Sequence, residues 1–195
     1  RNTTKSDCNG GIRIMSELRT NRIVPKDGLS SGASGGVIQV KSTTKTDSES
    51  LTSDGTETLI PGMSVTITPT RSDSKILIMF SLACITGGSF AGHYVVLRRD
   101  STNIAIGDAA GSRQRATVSL GAPTTYDEDQ GQYGPGLVSF THLDSPATTA
   151  AVTYGIFHAD PSGSNPLYVN RSQLDSDSVG FERSTSSITV MEITG

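Results

Sequence analysis

The chain has 195 residues and carries a formal net charge of −3, with 34% hydrophobic residues, 21 Gly and no Trp. That length allows one substantial domain with an appendage. The absence of a concentrated basic stripe argues against a nucleic-acid surface, and no stretch has the length of a membrane-spanning helix or the pattern of a signal peptide. Ser and Thr supply about a quarter of the residues, well above ordinary usage. Hydroxyl side chains compete for backbone hydrogen bonds and β-branching stiffens the side chain, so this composition favours short strands and tight turns over long helices.

In chain order, residues 1–36 read as a stalk or connector. A polar stretch ending in Gly10-Gly11 precedes Ile12, Ile14, Leu18, Ile23 and Val24, whose spacing fits neither a strand nor a helix throughout. This segment is too short to bury those residues itself. They therefore need another surface, and they are the expected oligomer contacts. Pro25-Lys-Asp-Gly28 is a turn and Leu29–Gly36 a Gly/Ser connector. The first residue is Arg1 and not Met, which points to a processed product or to part of something longer.

From Val37 onward the pattern is strand, turn, strand. Residues 37–44 form a β-rich run. Residues 63–70 alternate, with Met63, Val65 and Ile67 on one face, a turn at Pro61-Gly62 before them and one at 71–74 after them. Lys75–Thr86 is almost continuously apolar, which predicts a central strand covered on both faces; Ile76, Ile78, Phe80 and Leu82 share one side, with Leu77, Met79 and Ala83 largely covered as well. Residues 92–107 read as a hairpin turning at Asp100–Asn103, and strands succeed it at 115–120, 136–143, 150–158, 167–170 and 187–193. Many short strands without a strong helix predict an all-β fold: an antiparallel β-sandwich, jelly-roll-like, over residues 37–195.

Catalytic and cofactor signatures are sparse. His93, His142 and His158 show no metal-ligand spacing, so no metal is expected and the three read as structural or surface histidines. Asp127-Glu-Asp129 and Asp175-Ser-Asp177 lack the calcium-loop spacing and read as solvated charges. There is no G-x-S-x-G and no phosphate loop, so neither an enzyme nor a cofactor is expected. Cys8 and Cys84 lie in unlike contexts and make no disulfide framework. Arg98-Arg99 and Arg113/Arg115 read as edge charges. The long polar loop 123–135 is the main binding candidate. Tyr126 and Tyr133 can stack on the apolar face of a sugar while Asp127, Asp129 and Gln132 bond its hydroxyls. The loop 158–166 is a second candidate.

Three stretches also resemble structural proteins of marine, cyanophage-like phages. Residues 21–40, Asn-Arg-Ile-Val-Pro through Gly-Gly-Val-Ile-Gln-Val, resemble a joint between stalk and head. Lys75-Ile-Leu-Ile-Met79 after Thr68-Pro-Thr70 resembles the core of the head, and Ser186–Thr194 its last strand. The resemblance implies a virion location and a trimeric tail fibre, assembled with other virion proteins, whose head touches a glycan or protein of the host surface. A capsid fibre or decoration protein is the alternative. It implies no catalytic residue and no membrane insertion.

Overall fold

The computed structural model describes residues 36–87, 92–120, 134–163 and 165–193. The chain divides into two units, Arg1–Ala33 and Ser34–Gly195, and every described residue belongs to the second. Its elements are β1 (Val37–Lys45), β2 (Glu49–Leu51), β3 (Thr58–Ile67), β4 (Lys75–Thr86), β5 (Tyr94–Arg99), β6 (Thr102–Ile104), β7 (Val118–Ser119), β8 (Gly136–Asp144), β9 (Val152–Ala159), β10 (Leu167–Val169) and β11 (Ser186–Ile193). All are strands, and every pairing is antiparallel.

Two sheets form. In the six-stranded sheet β8 lies along one edge of β4, while β11 and the short β10 share its other edge end to end; β1 pairs with β11 and β2 with β10. In the five-stranded sheet the order is β3-β9-β5, with β6 and β7 dividing the far edge of β5. With β6 and β7 taken as one interrupted strand and the short β2 and β10 set aside, the orders are β1-β11-β4-β8 and β3-β9-β5-β6/β7. The chain crosses between the sheets at nearly every step, which is the double Greek key of a jelly roll. One corner closes where Thr43 Oγ1 of β1 donates to the Ser64 carbonyl of β3 at 2.9 Å.

Alternation explains the core. Ile76, Ile78, Phe80 and Leu82 point between the sheets, where they meet Val95, Leu97, Tyr154, Ile156, Ile188 and Val190; all ten are buried. Full burial of one such side chain is worth about 1.5–3 kcal/mol. Phe80 packs on Phe140 of β8 with ring centroids 6.2 Å apart. The opposite side of β4 is different: Leu77 and Met79 are only half-buried, so the strand is central in the hydrogen-bonded ladder but sealed on one face. Cross-strand register builds rows on that outward face. Val40, Met191, Leu77 and Leu143 stand side by side, then Ser42, Thr189, Met79 and Thr141, then Thr44, Ser187, Ser81 and Ser139.

Three polar clusters hold the sheets. Asn170, at φ +59 and fully buried, plugs the seam where β10 and β11 meet along β4. Its amide donates to the carbonyls of Lys45 and Asp47, each at 2.9 Å, and its oxygen accepts from Ser186 Oγ at 2.6 Å. Asp144 of β8 joins the sheets by accepting from Arg99 and, at 2.7 Å, from the buried Tyr154 hydroxyl. Glu192, also fully buried, accepts from Gln39 at 2.7 Å and from the backbone and hydroxyl of Thr70 at 2.7 and 2.8 Å. Burial pushes its carboxyl up, but those donors outweigh it and hold the group at about 2.

Several local expectations need correction. Pro61-Gly62 does not turn the chain; it forms a bulge inside β3, where the register to β9 slips and Gly62 takes φ +77. The hairpin turn is tighter than four residues, because Arg99 pairs with Thr102 and only Asp100 and Ser101 lie beyond the ladder. Its second arm stops at Ile104, and the strand expected over 115–120 shrinks to Val118–Ser119. Residues 105–117 instead lie over the outside of the sheet, placing Ile106 and Ala116 on Tyr94 and Val96. Arg98 and Arg99 are not solvated edge charges. Both are half-buried: Arg98 pairs with Glu57 and lies 4.1 Å from the Phe157 ring centroid, while Arg99 pairs with Asp144. Asp175 is likewise half-buried and paired with Arg171 and Arg183.

Candidate functional site

The jelly roll has two unlike ends. Gly36 leads into β1 at the lower end, where Val37 pairs with Ile193 near the end of β11. The turns at 68–75, 100–101 and 145–151 share that end. The upper end gathers residues 52–57 and the described roots of three further segments: Gly87 with Gly92 and His93, Leu120 with Gly134, and Asp160 with Pro166. Four contacts tie their roots: the Leu120 amide donates to the His93 carbonyl at 2.9 Å, Gly87 to Pro166 at 2.8 Å, Gly136 pairs with Cys84, and Tyr94 with Ala159. Gly87 is required at this junction, because a Cβ there would lie 2.9 Å from both Pro166 and Tyr168 side-chain atoms.

Both loops singled out by the sequence therefore spring from the same end. Tyr126, Asp127, Asp129, Gln132 and Tyr133 lie outside the described residues, as do Ile12, Ile14, Leu18, Ile23 and Val24. The roots of their loop, Leu120 and Gly134, are described. The second loop is built on Asp160, which is fully buried. Its carboxylate accepts from the amides of Ser162 and Asn165, each at 2.9 Å, and from Ser162 Oγ at 2.7 and 2.8 Å. Burial raises this carboxyl, but the hydrogen bonds prevail and hold it at about 2. An Asx-type bond thus pins the described residues of this loop to Asp160.

Beside Asp160 sit His93 and His158, both fully buried. Neither ring nitrogen of His158 has a hydrogen-bond partner among the described residues, while the Asn165 backbone beside His93 favours that ring's charged form. His93 Nε2 lies 3.9 Å from Asp160 Oδ2, beyond hydrogen-bond range. Burial pushes the His158 ring down to about 4, and the neighbouring His93 adds to that; burial also lowers His93, against the pull of Asp160. Both rings are neutral at pH 7. Sequence spacing gave no sign of this pair, because the residues meet only through the pairing of β5 with β9.

Among the described residues no group of three or more His, Cys, Asp or Glu side chains is placed to hold a metal ion. The buried Cys84 thiol is pushed up to about 12 by burial, which leaves it a packing residue and not a nucleophile. Tyr154 is raised by burial and by its bond to Asp144, and it serves as a tie between the sheets. No protein-family model and no curated protein sequence matches this chain.

Proposed function

We propose that the chain is a non-catalytic structural component of a phage virion: the distal part of a trimeric tail fibre, whose head meets the host surface. The observation that carries this reading is the two-ended fold. The chain enters the head at the lower end, where β1 and β11 pair, and the long polar loop with its two tyrosines is rooted at the opposite end. A head mounted by one end and presenting loops at the other is what attachment requires. The jelly-roll architecture, shared by viral and lectin domains, agrees with it as fold-level analogy. The resemblance of residues 21–40, 75–79 and 186–194 to marine phage fibres supplies the virion context.

The test is binding of the purified chain to host cells and to a glycan array. Tyr126→Ala and Tyr133→Ala are expected to weaken binding by roughly ten-fold, the loss of an aromatic stacking contact, with thermal stability unchanged. A chain that joins the particle but binds neither cells nor glycans would replace this reading with a capsid fibre or decoration role.

A further inference from the structure

We infer that the outward face of the six-stranded sheet, crossed by the row Val40–Met191–Leu77–Leu143, is the surface on which further copies of this chain pack. The inference rests on the trimeric reading and names its contact.

The two outward faces of the sandwich differ in kind. On the five-stranded sheet Arg98, Glu57 and Asn103 form a hydrogen-bonded charged network, and residues 105–117 cover Tyr94 and Val96. That face has its own cover and its own charge. On the six-stranded sheet four strands present three rows made only of Val, Leu, Met, Ser and Thr. Among the described residues, charge returns at its borders: Lys75 at the lower end, bonded to Ser145; exposed Lys41 on the edge strand β1; and at the upper end Arg171, set against the Tyr168 ring and paired with Asp175, which also pairs with Arg183. Val40 is 51% exposed and Leu143 52%.

A solvated sheet face normally alternates apolar-in with polar and charged-out. An outward face without charge, carrying an apolar row across four strands, departs from that rule as the centre of an interface does, where charged residues are depleted. Its electrostatics also select the partner. An uncharged face meets its own copy without like-charge repulsion, whereas nothing on it would attract a charged partner. Around a threefold axis the contact is heterologous, and the residues nearest the axis meet their own counterparts, so an uncharged row there meets no like charge. Four strands spaced ~4.8 Å apart over five residues of ~3.4 Å rise span roughly 300 Å², of which the apolar row is one part and the Ser/Thr rows are the rest. This is less than the ~800 Å² per partner of a standard interface, so the face is one part of the contact, and the apolar residues of the connector are expected to add to it.

The experiment is sedimentation equilibrium on the full chain, its Val40→Lys/Leu143→Lys double variant and a Thr66→Lys control, with circular dichroism melts on all three. Thr66 is exposed on the outward face of β3, in the other sheet. The expected result is a trimer for the parent and the control, and at least ten-fold weaker association for the double variant with its fold intact. A trimeric parent whose double variant associates equally well would overturn this assignment and leave the fibre reading standing. A monomeric parent would overturn both.

Discussion

His93 and His158 are buried and neutral, and burial disfavours the charged form of both rings, so acid acts on them first. In the unfolded chain a histidine takes up its proton near 6.5; in the fold His158 resists until about 4. Between those values the unfolded state binds the proton and the native state does not, so stability falls as pH falls. The gap corresponds to on the order of 3 kcal/mol, fully present above pH 6.5 and lost by about pH 4. His93 is shifted in the same direction, while Asp160 is the carboxylate that opposes both shifts. Asp160 and Glu192, both held at about 2, contribute stability that is complete above their ordinary values and lost only below them, as pH falls toward 2. Urea midpoints should therefore drop from pH 7 to pH 5, and His158→Leu should flatten that drop. Equal midpoints at the two pH values in the parent chain would contradict the neutral, buried assignment.

At the scale of elements, β10 and β11 divide one edge of β4 between them, and such a junction interrupts the ladder. Asn170 repairs it. Its left-handed backbone turns the chain out of β10, its backbone N–H donates to the Ala83 carbonyl at 2.9 Å, and its side chain reaches the carbonyls of Lys45, which ends β1, and of Asp47 just beyond it. Asn tolerates this backbone region better than most residues. Asn170→Gly keeps the backbone and removes the side-chain bonds; Asn170→Ala also adds backbone strain. Buried hydrogen bonds left without partners cost about 1–3 kcal/mol each, and a left-handed Cβ residue about 1–2 kcal/mol. Denaturant melts should rank the parent above the Gly variant and the Gly variant above the Ala variant. A Gly variant as stable as the parent would show that the seam does not depend on this side chain.

For the whole molecule, the head and the connector contribute separately to association under the trimer reading. A chain beginning at Gly35 keeps the outward face of the six-stranded sheet and loses Ile12, Ile14, Leu18, Ile23 and Val24. It should trimerise more weakly than the full chain without dissociating completely. Sedimentation equilibrium of the two chains side by side measures this. Association that is undiminished after truncation would place the whole contact on the head.

The sequence by itself determined the fold class and most strands. The run Lys75–Thr86 and the alternation of Ser186–Ile193 are local patterns, and period two needs no tertiary partner to be read. The same reading missed β2, misplaced a turn at Pro61-Gly62 and overran β7. Three-residue strands carry no period, and whether Pro-Gly turns a chain or bulges it depends on the strand beside it. It also treated both faces of β4 as covered, because an apolar run does not say which side meets another sheet. Only the tertiary structure decided the features that strand register creates: the uncharged rows across four strands, the meeting of His93 with His158 and Asp160, and the common end from which both polar loops rise. Each of these joins residues from different strands, and antiparallel pairing between distant segments is what brings them to one place.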